Sequence, residues 1–307
     1  TLIAILKACI ITGATEKGRL IHDDIVNRGL LEKDVLLGNA LVNVYVNCGL
    51  LSKAQKALKE LPIRNLTSWS ALIAGYVQHG QVHEALYYYD CMKSEGFVPD
   101  VVTFICILKA CGSLRDIDKG KEIHEEIQSR CLVQNDIILG NVLVDMYAKC
   151  GVLAKAQQVL EDLPCRDVVS WNALITGYAQ QGQCHEAFDC FTQMKTEGLS
   201  PSAVTFTCIL KACGDAGAID KGEHIREEIV NLGLLESDVM LGTALVDMYA
   251  KCGMLVKARQ VLKELPIRDT ISWNALISGY ALHRQGQEAL SCFQEMQSEG
   301  FHPNDIT

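Results

Sequence analysis

SWNALITGY, residues 170–178, recurs as SWSALIAGY at 68–76 and as SWNALISGY at 272–280. Trp69, Trp171 and Trp273 therefore stand 102 residues apart. Inside the phrase, Trp171, Leu174, Ile175 and Tyr178 follow the i, i+3, i+4, i+7 spacing of one apolar helical face. Gly182 breaks that pattern, Ala187, Cys190, Phe191 and Met194 resume it, and Gly198 with Pro201 ends it. A helical phrase returning at a fixed period marks a repeat architecture, in which no unit can bury its apolar face alone and neighbours must stack.

One period holds three helix-turn-helix segments of different sequence, at 168–202, 203–238 and 239–269, with lengths of 35, 36 and 31 residues. In the third, Leu241, Ala244, Leu245 and Met248 form the first apolar face, Gly253 marks the turn, and Ala258, Val261 and Leu262 form the second before Pro266. The expected fold is all-α: a right-handed α-solenoid superhelix, its first helices lining the concave surface and its second helices outside. The handedness is that of helical-repeat folds in general.

Composition agrees with a folded array. The chain has 307 residues, 49% hydrophobic content and only six prolines, and no apolar run reaches the roughly 18 residues of a membrane helix. It begins within a repeat, so it reads as a piece of something longer. Ten of the fourteen cysteines are locked to the period, as Cys9/Cys111/Cys213, Cys48/Cys150/Cys252, Cys106/Cys208 and Cys190/Cys292. Falling within helical patterns, they read as small buried hydrophobes of a reducing compartment. No CxxC pair is present, so no metal site is expected, and no cofactor.

SWNALITGYAQ, TFICILKACGSLRDIDKGKEIH and LVDMYAKCGVLAKAQQVLEDLP resemble the pentatricopeptide repeat family, specifically its class alternating P, L and S motifs of 35, 36 and 31 residues. The resemblance covers the whole chain and implies a single array. Its motifs would be a partial L at 1–34, S at 35–65, P at 66–100, L at 101–136, S at 137–167, P at 168–202, L at 203–238, S at 239–269, P at 270–304 and a further L starting at Asp305. It also implies sequence-specific binding of single-stranded RNA in a mitochondrion or chloroplast, with the targeting peptide outside this chain, as the guide region of a C-to-U editing factor. Protein editing cofactors would bind around the L motifs.

In that family the fifth and last residues of a motif jointly contact one base. The matching pairs are Asn39/Asn65, Ser70/Asp100, Asn141/Asp167, Asn172/Ser202, Thr207/Asp238, Thr243/Asp269 and Asn274/Asn304. The chemistry is coherent: a terminal Asp accepts the ring N–H of G or U, whereas the ring acceptor of A or C favours Asn or Ser. The implied site is 5′-N-Y-G-N-U-C-(G)-G-Y, with Ile3/Asp34 and Ile105/Asp136 reading nothing. The second residues, Leu36, Thr67, Val102, Ile138, Val169, Val204, Met240 and Ile271, would wedge between bases, a role that competes evenly with ordinary core packing. Lys149 and Lys251 stand where related motifs touch phosphate, with Asn47 in the first copy.

A net charge of −9 is unusual for a polyanion partner. The expected first helices nonetheless hold Lys7, Lys109, Lys149, Lys211 and Lys251 against Asp145 and Asp247, so the acid lies on second helices and turns, as in Asp116, Asp118, Glu122, Glu125 and Glu126.

Catalysis finds little support. His22/His124 and His83/His185 share phases that the third copy breaks with Arg226 and Gln287, and Cys184-His185-Glu186 reads as the start of an outer helix. The deaminase-like domain that many such proteins carry needs Pro-Cys-x-x-Cys, but Pro164-Cys165 is followed by Arg166, Asp167 and Val168. No enzyme, membrane partner or small-molecule substrate is expected. The competing reading is an α-solenoid scaffold for protein partners, which would need no alternation of Ser and Asn beside a repeated Trp.

Overall fold

The computed structural model describes residues 2–12, 15–32, 34–236 and 238–304. The expected motif start at Asp305 lies outside the described residues, as does Thr1. Among the described residues there are eighteen α-helices and no strand.

In chain order the first unit, Thr1–Cys150, holds α1 (Leu2–Thr12), α2 (Thr15–Asn27), α3 (Val35–Asn47), α4 (Leu51–Glu60), α5 (Leu66–Gln78), α6 (Val82–Ser94), α7 (Val101–Leu114), α8 (Ile117–Ser129) and α9 (Ile137–Lys149). The second, Gly151–Thr307, holds α10 (Leu153–Asp162), α11 (Val168–Gln180), α12 (Cys184–Thr196), α13 (Ala203–Ala216), α14 (Ile219–Asn231), α15 (Val239–Lys251), α16 (Leu255–Glu264), α17 (Thr270–Leu282) and α18 (Gly286–Ser298).

Each unit is a two-layer stack. In the first, α1, α3, α5, α7 and α9 pack consecutively; in the second, α11, α13, α15 and α17 do so. Every second helix from α2 to α8 and from α10 to α16 leans on the first helix that follows it. The apolar faces read from sequence meet at these seams: Trp171, Leu174, Ile175 and Tyr178 are buried, as are Ala187, Cys190, Phe191 and Met194. Leu6, Ile25, Leu37, Leu41 and Val44 form the core where the first two hairpins join.

Segment length is spent in the second half of each hairpin. The shortest second helices, α4, α10 and α16, span ten residues each and stop at a Leu-Pro pair, Leu61-Pro62, Leu163-Pro164 and Leu265-Pro266. Proline there forbids the helical conformation of the residue before it. The longest segments add a 3₁₀ turn after the second helix, at Leu30–Glu32, Val133–Asn135 and Leu234–Glu236.

All fourteen cysteines are free thiols, but their burial is less uniform than their phase. Cys9, Cys111, Cys213, Cys190 and Cys292 are buried. Cys48, Cys150 and Cys252 cap first helices and are only half-buried, as are Cys106 and Cys208.

Candidate nucleic-acid interface

The second residue of each first helix sits in its opening turn, facing away from the core. Leu36, Val102, Ile138, Val169, Val204, Met240 and Ile271 are between 55% and 68% exposed, and Thr67 is exposed as well. None of the eight packs in the core, which removes the core alternative. One apolar or β-branched side chain per first helix thus lies open to solvent.

Three residues further along the same face lies the fifth residue, and it is sunk rather than presented. Asn39, Ser70, Asn141, Thr243 and Asn274 are only 6% to 8% exposed, while Asn172 and Thr207 are half-buried. Among the described residues, Asn39 Oδ1 and Thr243 Oγ1 are buried with no hydrogen-bond partner. Such an orphaned polar atom costs about 1–3 kcal/mol, so its retention in a native seam demands a reason.

The last residues from Asp34 to Asp269 have a role that the sequence reading missed: each is the N-cap of the following first helix. Asp34 accepts from Leu36 N and Leu37 N, Asn65 from Ser68 N, Asp100 from Thr103 N and Asp136 from Leu139 N. Asp167, Ser202, Asp238 and Asp269 accept from Ser170, Thr205, Leu241 and Ser272 in the same way. Four of these are full capping boxes, at Asn65, Asp167, Ser202 and Asp269. The signal was present in sequence as Asn/Asp/Ser three residues before Ser or Thr. A side-chain cap is worth about 1 kcal/mol. Where the cap is Asp, the bond to the helix N–H is made by Oδ1.

Fifth and last residues meet directly in two places. Asn172 Nδ2 lies 3.4 Å from Ser202 Oγ, and Asn274 Nδ2 donates to Asn304 Oδ1 at 3.0 Å. Ser70 and Asp100 are joined through Thr103: Thr103 Oγ1 is 2.7 Å from Ser70 Oγ and 2.6 Å from Asp100 Oδ1. Asn141 and Asp167 belong to different units. Thr207 differs from its counterparts, because its hydroxyl donates back to Ala203 O at 2.9 Å and its proton is unavailable to a base. Ile3 and Ile105 are half-buried.

The two candidate phosphate lysines are not free cations. Lys149 Nζ is 2.7 Å from Asp145 Oδ2, and Lys251 Nζ is 2.7 Å from Asp215 Oδ1 and 2.9 Å from Asp247 Oδ2. Burial pulls the Lys251 ammonium down, but the hydrogen bonds it donates to Asp215 and Asp247 outweigh it and raise it above the ordinary lysine value. Sequence showed Asp145 and Asp247 on the first helices but not that they, with Asp215, neutralise the lysines beside them. Lys109 and Lys211 are exposed.

The scaffold around this face is held by repeated contacts. Trp69, Trp171 and Trp273 are buried to within 4% exposure. Arg64–Glu95, Arg166–Glu197 and Arg268–Glu299 recur at the same phase. His79 Nε2 and His283 Nε2 reach the carbonyls of Val46 and Ala250, and Gln181 Nε2 that of Gly151. These side chains satisfy carbonyls at or just beyond the ends of the neighbouring first helices. His185 is exposed at the start of α12, 3.1 Å from Lys221 Nζ.

Sequence profiles place these residues among known proteins. A PPR repeat family profile matches residues 64–113, 166–215 and 268–307, and a PPR repeat profile matches 39–66, 102–132, 204–234 and 243–269. A mitochondrial pentatricopeptide repeat-containing protein of Arabidopsis thaliana is 34% identical over 306 residues, 100% of this chain and 54% of that protein. A chloroplastic one from the same plant is 36% identical over 305 residues, 99% of this chain and 49% of that protein. The chain spans about half the length of these curated relatives. Among solved structures, the pentatricopeptide repeat protein PPR10 in complex with an 18-nt psaJ RNA element aligns with a TM-score of 0.78 at 20% identity, covering 95% of this chain and 44% of PPR10. That likeness shows the fold.

Proposed function

The chain belongs to the pentatricopeptide repeat family, and from that premise we propose that it binds single-stranded RNA along its first helices, one nucleotide per hairpin. The observation that carries this reading is the row of exposed second residues, four in each unit, each set three residues before a buried or half-buried fifth residue. A lone exposed apolar side chain needs no explanation. One at the same place on each of four first helices in each unit makes, within that unit, a regular set of surfaces on which successive bases can stack, and stacking is tolerant of sequence. The fifth residue and the N-cap of the next first helix then read the pairing edge. The RNA-bound state named for PPR10 supports the same ligand class.

The motif order is that of alternating P, L and S units, and the proposed site is 5′-N-Y-G-N-U-C-N-G-Y. Its seventh slot is left unread because the Thr207 hydroxyl is bound within its own helix. We place the array in the guide region of an organellar C-to-U editing factor, as a binding element without catalysis of its own and with protein cofactors seated around the L motifs. Curated relatives named mitochondrial and chloroplastic support the organellar assignment. A second reading, a scaffold for protein partners, is favoured by the net charge of −9 and the ion-paired Lys149 and Lys251.

Selection from a randomised pool of short single-stranded RNAs, with sequencing of the retained fraction, separates the two. Enrichment of U-C at the adjacent slots of Asn141/Asp167 and Asn172/Ser202 is expected. A retained pool with no enrichment there overturns the base-reading assignment, and no retention at all leaves the scaffold reading.

A further inference from the structure

A threonine stands at the third position of α7 and of α13, in the seams that follow Ser70/Asp100 and Asn172/Ser202. We propose that Thr103 and Thr205 are positioning residues that set the hydrogen-bonding polarity which Ser70 and Asn172 present to a nucleobase, with Asp100 or Ser202 deciding where the threonine proton goes. This rests on the RNA-binding reading above and extends it to how the two base-reading residues communicate.

The argument is a count of protons. A hydroxyl has one proton and two acceptor sites. In the second unit Thr205 Oγ1 accepts from Ser202 N at 3.0 Å and lies 3.0 Å from Ser202 Oγ, which is able to donate to it. The Thr205 proton is therefore free to go to Asn172 Oδ1, at 2.7 Å. That bond fills one lone pair of the Asn172 oxygen and fixes the amide's orientation, while one amide proton reaches Ser202 Oγ by a long 3.4 Å contact and the second is left to donate. Asn172 thus offers a donor, which fits a pairing edge rich in acceptors such as the ring nitrogen and carbonyl of C.

In the first unit the last residue is a carboxylate, which can only accept. Thr103 Oγ1 donates to Asp100 Oδ1 at 2.6 Å, so its proton is spent. Ser70 Oγ, 2.7 Å from Thr103 Oγ1, must then be the donor of that bond, leaving Ser70 only lone pairs. Together with the second oxygen of Asp100, the pair offers acceptors, which fits the ring N–H and amine of G. One residue type in one place transmits opposite polarities because the N-cap beside it differs.

The starts of α5, α11 and α17 act as an internal contrast. There the third residue is serine, and Ser68, Ser170 and Ser272 each donate to their own N-cap carbonyl at 2.8 Å. Those protons are spent within the capping box.

The test compares the full chain with Thr205→Val, which keeps the shape and removes the hydroxyl, and Thr205→Ser, which keeps the hydroxyl. Four synthetic single-stranded RNAs differ only in the base at the Asn172/Ser202 slot. The native chain is expected to favour C over U, a base of the same size whose ring nitrogen is a donor, by about tenfold or more, Thr205→Ser to retain that ratio, and Thr205→Val to reduce it to about twofold. Discrimination at the Asn274/Asn304 slot should not move in either variant. Thr205→Val also weakens the Ser202 capping box, but a lost cap lowers affinity for all four RNAs alike. A uniform loss with the C-to-U ratio intact overturns the positioning role and leaves the RNA-binding reading standing. No base preference at this slot in the native chain overturns both.

Discussion

Arg115, Cys131 and Arg284 hold φ values of 56°, 52° and 59°, in the left-handed region that costs an L side chain about 1–2 kcal/mol. One or two periods away the same places hold Gly217 for Arg115, Gly29 and Gly233 for Cys131, and Gly80 and Gly182 for Arg284, all at φ between 63° and 73°. The three side chains are exposed, so replacing them removes little packing. Arg115→Gly, Cys131→Gly and Arg284→Gly should each stabilise the chain by about 0.5–1 kcal/mol, the strain relieved exceeding the added freedom of glycine when unfolded. Urea midpoints check this, and a fall on any exchange would mean that the side chain supplies something its siblings lack. The fifth residues were legible in sequence because each follows a phase-locked residue by a fixed step. Their burial was not, since the depth of a side chain is set by the helix of the next hairpin.

Where first helices meet, the limiting distance is between backbones. A Cβ built on Gly75 of α5 would lie 2.5 Å from Val46 Cγ1 of α3, and one on Gly279 of α17 would lie 2.5 Å from the Ala250 Cβ of α15. The glycine of SWSALIAGY and SWNALISGY is therefore what lets consecutive first helices approach. Gly75→Ala is expected to cost about 1–3 kcal/mol by overpacking, read as a lower thermal midpoint. Pairing it with Val46→Ala should recover part of that loss, and a pair as unstable as the sum of both single exchanges would refute the close-contact explanation. Helix type and turn positions were legible here from the 3.6-residue period and from Gly and Pro. The hydrogen bonds of His79, Gln181 and His283 to carbonyls of the preceding hairpin were not, because nothing local marks the acceptor.

For the whole chain, charge decides how RNA would be held. With Lys149 and Lys251 already paired to aspartates, few counterions would be released on binding. A plot of log K against log salt should therefore be shallower than about −6. Asp145→Asn, which frees Lys149, should steepen it by about 0.7. Fluorescence anisotropy across a salt series measures both, and a native slope of −6 or steeper would refute the low-charge interface.

The period, the helical hairpins, the unequal segment lengths and the positions of the candidate base-reading residues all follow from the sequence, because each depends on spacing along the chain. Tertiary structure alone decided which members of that register are sunk and which exposed. Leu36, Val102 and Met240 have the composition of core residues yet face solvent, and Asn39 and Ser70 look like surface residues yet lie in the seam. It also joined Ser70 to Asp100 through Thr103, residues about thirty positions apart. A hydrogen bond between hairpins depends on how two helices pack, and packing is a property of neighbours in space that no single helix encodes.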